Sequence, residues 1–177
     1  MRKHLVLTVT GKDRPGLVDY VTKILLEFGG NVEASRMARL GGEFAMLMMV
    51  SVPEDRFDAL REGVRRLRDE DFKVTTRSTE RGYSARFAGW LPFTVQVKGA
   101  DHEGIIHQIA HYLAEQNINI ETMDADVVKA PMSGAPLFKM EAVVIAPPDV
   151  SWQDLRTALE QLGDSLGVDT DVSPYTG

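Results

Sequence analysis

Two short stretches of this chain carry the residue types that could hold both ends of a zwitterion. Gly11-Lys12-Asp13-Arg14-Pro15-Gly16-Leu17-Val18 is answered 88 residues later by Gly99-Ala100-Asp101-His102-Glu103-Gly104-Ile105-Ile106. A glycine at the head of each loop lets the backbone turn sharply and approach a ligand closely. A helix is expected to begin at about Pro15-Gly16, where its unpaired N–H groups would attract a carboxylate. Asp13 adds a fixed negative charge or acceptor suited to an ammonium group. Asn31, opening the next expected strand, offers both a donor and an acceptor. Amide, carboxylate and helix end together match the α-amino and α-carboxyl groups of a free amino acid. The alternative is that Asp13 and Asp101 only cap helices, while Asn31 and Asn119 only make turns.

The spacing persists beyond the loops. Seven pairs are identical between positions 11 and 33: Gly11/Gly99, Asp13/Asp101, Gly16/Gly104, Leu25/Leu113, Glu27/Glu115, Asn31/Asn119 and Glu33/Glu121. Ordinary composition would give about one or two by chance. The chain is therefore read as two copies of one small domain. Its 177 residues leave room for two domains of roughly 85 to 90 residues, each with a core of its own.

Composition narrows the classes of function. The absence of cysteine excludes a disulfide framework, a thiol nucleophile and a thiolate metal site. The longest apolar run, Phe44 to Val50, is too short to cross a bilayer. The N-terminus enters an alternating segment directly, without the apolar core of a signal peptide. A soluble, cytoplasmic protein with no membrane partner is expected. Net charge is −6, and the basic residues are dispersed. Arg61, Arg65, Arg66 and Arg68 interleave with Asp58, Glu62, Asp69, Glu70 and Asp71, the pattern of a solvated helix face. Direct nucleic-acid binding is not expected.

The elements that must position the loops follow from periodicity. Leu5, Leu7 and Val9 alternate with Val6, Thr8 and Thr10 as a strand. Asp13 is read as an N-cap and Pro15 as part of the first helical turn. Leu17, Val21, Ile24, Leu25 and Phe28 continue at helical spacing until Gly29-Gly30. Asn31 to Leu40 and Phe44 to Val52 form a hairpin about Gly41-Gly42. Pro53-Glu54-Asp55 opens a helix carrying Phe57, Leu60, Val64 and Leu67, and Phe72 and Val74 suggest a last strand. The second copy repeats this βαββαβ order, with about six extra residues around Lys129 to Pro136. The fold class is α+β: two ferredoxin-like units, each an antiparallel sheet with helices on one face. The expected domains are 1–79 and 92–177, joined by a linker at 80–91. In Phe44 to Val50 both alternating sets are apolar, so the open face of the first sheet is expected to be covered. Candidate covers are Phe87, Trp90 and Leu91 of the linker, or a partner.

Thr10 to Val18, followed by Gly30-Asn31-Val32-Glu33, resembles the ACT domain signature. ACT domains are βαββαβ regulatory modules that bind amino acids at interfaces between modules. The tandem arrangement, with Asn31 to Ala38 and Gly42-Glu43-Phe44, resembles more specifically the glycine cleavage system transcriptional repressor family. The resemblance covers nearly the whole chain and is weaker in the second copy, where Glu103 replaces the loop proline. It implies ligand contacts from Gly11, Asp13, Arg14, Pro15, Gly16, Leu17 and Asn31, and from Gly99, Asp101, Gly104, Ile105 and Asn119. It also implies regulation through a protein partner, without DNA contacts by the chain itself.

Rival constellations are weaker. His102-Glu103-Gly104-Ile105-Ile106-His107 misses the zincin pattern, because its histidines are five apart and do not share a helix face. His107 and His111 are four apart but lack an obvious third ligand. Gly11 and Gly16 do not make a dinucleotide fingerprint, and no Gly-Lys-Ser/Thr follows. The residues therefore point to no metal, no cofactor and no catalytic group. The expected function is an amino-acid-responsive regulator, its ligand a small amino acid with glycine among the candidates, acting through protein contacts and compatible with a homo-oligomer. A ligand-free interaction module is the alternative, and a small metabolic enzyme a more remote one.

Overall fold

The computed structural model describes residues 1–79, 87–130 and 134–176. The chain forms two compact units, Met1–Ser84 and Ala85–Gly177. The first contains β1 (Arg2–Lys12), α1 (Leu17–Glu27), β2 (Asn31–Leu40), β3 (Glu43–Pro53), α2 (Phe57–Gly63) with a 3-10 extension over Val64–Glu70, and β4 (Lys73–Thr79). The second contains β5 (Leu91–Ala100), α3 (Ile105–Glu115), β6 (Asn119–Lys129), β7 (Pro136–Ala146), α4 (Trp152–Leu166) and β8 (Val168–Pro174). Each unit has one four-stranded antiparallel sheet, ordered β2-β3-β1-β4 and β6-β7-β5-β8. This is the ferredoxin-like βαββαβ topology that the repeat implied. Of the expected linker, residues 80–86 lie outside those described, and β5 begins at Leu91.

The pleat sorts each sheet into two faces, because successive side chains point to opposite sides. Leu5, Leu7 and Val9 meet Met46, Met48 and Val50 on one side. Val21, Ile24 and Leu25 of α1 and Leu60, Val64 and Leu67 of the second helical segment close this core. The second core repeats the plan with Val95, Val97, Ile109, Leu113, Met140, Val144, Leu155 and Leu159. The other face of the first sheet carries Val6, Thr8, Ala45, Leu47 and Met49, and Leu47 is 48% exposed. Of the expected cover, Phe87 and Trp90 pack edge to face on each other, with ring centres 4.8 Å apart. Among the described residues, no helix is long and apolar enough to cross a membrane.

Two expectations about the helices are corrected. Neither loop aspartate is an N-cap. Gly16 and Gly104 hold that position at φ values of 82° and 93°, with no side-chain cap, and the helices start at Leu17 and Ile105. The left-handed turn redirects the chain after the loop, so Pro15 precedes the helix. The second helix of the first unit also changes pitch at Val64 and ends at Asp71, whose φ of 64° turns the chain into β4. The repeated Asn-x-Glu has a structural role too. It sits where β2 and β6 shift register against their partners, between Val32 and Ala34 and between Ile120 and Thr122.

Gly163, inside α4, tests the packing of that helix on β8. A Cβ there would lie 2.7 Å from the Val168 carbonyl oxygen and 2.7 Å from Cγ2 of Thr170. Alanine in a helix interior ordinarily stabilises by about 0.5–1 kcal/mol relative to glycine. Here overpacking against backbone outweighs that gain, and Gly163→Ala is expected to destabilise by about 1–3 kcal/mol. Urea denaturation of the two proteins measures the sign directly.

Candidate functional site

The first loop builds a groove of about 550 Å3 at the end of β1. Thr10, Gly11, Lys12, Asp13 and Arg14 form one wall, Glu43 begins the neighbouring strand, and Glu70, Asp71, Phe72 and Lys73 close the other side. Register explains this meeting. Lys12 pairs with Glu43 across β1 and β3, and Thr10 pairs with Lys73 across β1 and β4. Phe72 is buried beneath the loop. A Cβ on Gly11 would lie 2.5 Å from its ring, so this glycine admits an aromatic wall.

Charge in the groove is mixed. Lys12, Arg14 and Lys73 stand among Asp13, Glu43, Glu70 and Asp71. Arg14 makes an ion pair with Glu70 and lies over the Phe72 ring, 5.3 Å from its centre. The Asp13 backbone N–H donates to the Gly42 carbonyl at 3.2 Å, and its carboxylate is 3.7 Å from Arg39 Nε. These links hold the loop against the β2–β3 hairpin and leave the Asp13 side chain partly exposed. The N-terminus of α1 follows at Leu17. Leu17 itself is buried in the core, so only its backbone is available to a ligand.

Asn31 does not join this groove within its own unit. It pairs with Ser51, whereas Gly11 pairs with Phe44. The two rows are seven positions apart along β3, a distance of about 23 Å at the usual rise. The second unit repeats the separation: Gly99 pairs with Phe138 and Asn119 with Ile145. Asn119 donates to Glu121 at 2.6 Å. The sequence spacing was real, but a helix runs back along the sheet between loop and asparagine. Residues that sequence reasoning missed are Glu43, Glu70, Asp71, Phe72 and Lys73. They reach the groove through strand register, which the loop motif does not encode.

The second loop is built differently. Gly99 faces Val168, with a virtual Cβ 2.6 Å from Cγ1. Asp101 is exposed, and its backbone N–H donates to Pro136 at 3.3 Å. Ile105 is buried in the core, like Leu17. His102 takes the place of Arg14. Its Nδ1 lies 3.0 Å from the Glu103 carbonyl and its Nε2 2.7 Å from the Leu166 carbonyl. Only the imidazolium can donate to both oxygens. The Glu103 carbonyl, then that of Leu166, raise the pKa of His102 above its ordinary 6.5, and the charge of Asp101 adds to this. His107 and His111 are exposed and stack with ring centres 5.9 Å apart. No group of three metal-ligating side chains occurs among the described residues.

A family model described as the ACT domain matches residues 3–77. The glycine cleavage system transcriptional repressor of Escherichia coli (strain K12) is 46% identical over 48 residues, which make up 27% of this chain and 25% of that protein. The match thus spans about a quarter of that relative's length. A UPF0237 protein of Methanopyrus kandleri is 40% identical over 79 residues, 44% of this chain and 81% of its own length. The crystal structure of an unknown protein from Galdieria sulphuraria superposes with a TM-score of 0.82 at 30% identity, covering 99% of this chain and 100% of the other.

The His102 bridge predicts a pH dependence. Its folded pKa is raised, so the stabilisation it gives is complete below about 6.5, the unfolded value. It is lost as pH rises through the folded value. The ring protons of His102 should titrate above 6.5 by NMR. His102→Gln should flatten the fall in melting temperature over that range. A midpoint at or below 6.5 would refute the bridge.

Proposed function

The chain belongs to the ACT domain family, and from that premise we propose that it is an amino-acid-responsive regulator whose first loop holds a small free amino acid. The observation that carries this reading is the groove at the end of β1, where three cations and four carboxylates share one wall-lined space. An α-amino acid needs opposite charges a short distance apart. Asp13, Glu43 and Asp71 suit its ammonium group. Lys12 and the backbone at the start of α1 suit its carboxylate, since helix N-termini favour anions. The Arg14–Glu70 pair sets the far wall. Glycine is the first ligand to try, given the printed name of the Escherichia coli relative.

Output through protein contacts fits the exposed surface. Leu47 is 48% exposed at the centre of an open sheet face. Exposed apolar area of this kind suits a partner surface. That surface is also what supports the second reading, an interaction module with no ligand. Neither reading assigns a catalytic residue, a cofactor or a direct contact with nucleic acid.

A thermal-shift screen against free amino acids tests the proposal, followed by calorimetry on variants. One or two amino acids should stabilise the protein. Asp13→Ala should weaken their binding by about 1–3 kcal/mol, the range for a lost charge-assisted hydrogen bond. Asn31→Ala should leave affinity unchanged, because Asn31 lies at the other end of the sheet. An equal loss in Asn31→Ala would mean that a second chain completes the site. A screen without any response would favour the ligand-free module.

A further inference from the structure

We propose that the first unit carries a second ligand site: an anion cleft between α2, its 3-10 extension and the edge strand β4, which takes a compact phosphate-type oxyanion. The cleft has a volume of about 250 Å3 and is lined by Arg61, Arg65 and Arg68 with Val64, Val74 and Thr76. It is separate from the loop groove, with which it shares no lining residue.

The three arginines reach one cleft because the helix changes pitch. Arg61 and Arg65 are four apart across the α-helical end, which places them on one face. From Val64 the chain is 3-10, and residues three apart eclipse each other. Arg68 therefore falls into line with Arg65. The sequence pattern alone read these residues as a solvated face interleaved with acids. The structure separates them from most of those acids and turns them towards β4.

The cleft is furnished for an oxyanion. Arg68 Nη2 donates to the Val74 carbonyl at 3.1 Å, which fixes the guanidinium and leaves its other N–H groups available. Arg61 Nε donates to the Thr76 hydroxyl at 3.4 Å, and that hydroxyl keeps a proton to give. Planar guanidinium groups bind phosphate oxygens two at a time. Two carboxylates compete. Glu62 lies 2.6 Å from Arg65, and Asp58 lies 3.9 Å from Arg61. Both are largely exposed, so solvent screens these pairs and their partners exchange cheaply. Arg68 has no carboxylate partner among the described residues. The volume falls below that of pockets for drug-sized ligands, which favours a phosphate bearing a small substituent.

The second unit serves as an internal control. Aligning Leu60, Val64 and Leu67 with Leu155, Leu159 and Leu162 places Arg156, Glu160 and Gly163 opposite Arg61, Arg65 and Arg68. Arg156 donates to Glu160 at 2.8 Å, and Gly163 packs on Val168 and Thr170. The same topology thus folds without the cationic row, so the fold does not require it. Charge is partitioned in the same sense. Residues 1–79 carry 14 Lys and Arg against 12 Asp and Glu, and residues 80–177 carry 6 against 14. An acidic chain that concentrates cations in one cleft focuses its positive field there.

Calorimetry and phosphorus NMR with inorganic phosphate and pyrophosphate, in an amine buffer at constant ionic strength, test the site on the full chain. Saturable binding is expected. Arg68→Gln and Arg65→Gln should each weaken it by about tenfold or more, and Arg156→Gln should not change it. Because Arg68 also bonds to β4, the exposed Arg65 supplies the variant least able to disturb folding. Absence of saturable binding, or undiminished binding in Arg65→Gln, would overturn the proposal. So would salt-steep binding of duplex DNA without any response to the free anions.

Discussion

No side chain fits at position 11, and much of the first unit follows from that. The last residues of β1 must let β4 return alongside them, and the residue just before β4, Phe72, is a buried phenylalanine. A Cβ at Gly11 would stand 2.5 Å from the Phe72 ring. With hydrogen there instead, the ring seals the end of the core and becomes the floor of the loop groove. Gly99 and Val168 meet in the same way, at 2.6 Å. The repeated first glycine of each loop is thus explained by packing between strands. Its partner, Gly16 or Gly104, answers a different need. It adopts a left-handed conformation that an L side chain enters only under strain, and so sets where the helix begins.

The two glycines show what could be read from residues alone. Periodicity located the eight strands and four α-helices seen among the described residues, because alternation and helical spacing report burial on one face. The Gly41-Gly42 hairpin and the βαββαβ order were legible for the same reason. Helix starts were not. Asp13 has the composition of a cap, but the left-handed glycine three residues later determines where the helix begins. The change to 3-10 geometry at Val64 left no mark in the pattern, since Val64 and Leu67 suit either spacing in a window that short.

The groove was legible only by half. A motif written along the chain names Gly11, Asp13 and Arg14, which fall within one stretch of four residues. It cannot name Glu43, Glu70, Asp71 and Lys73, which arrive through two strand pairings and a turn. Asn31 and Asn119 pose the reverse case. Their fixed distance from the loop suggested one site, yet that distance is the length of a helix and its return. Their identity between copies is matched by a shared register shift in β2 and β6.

Duplication makes the differences between units as informative as their likeness. A position that serves the fold alone should be filled in both copies by residues of similar kind, and the core positions are. Where the fold is indifferent, the copies have parted. Arg14 pairs with Glu70 across the first groove, while His102 at the equivalent place bonds to two backbone carbonyls and ties its loop to the end of α4. Arg61, Arg65 and Arg68 line a cleft where the second unit has an internally paired arginine and a packed glycine. The loop of the first unit keeps polar side chains at a groove, whereas in the second His102 turns to backbone carbonyls. One scaffold is thus used twice with opposite net charge, and the cationic cleft and the mixed-charge groove both belong to the first copy.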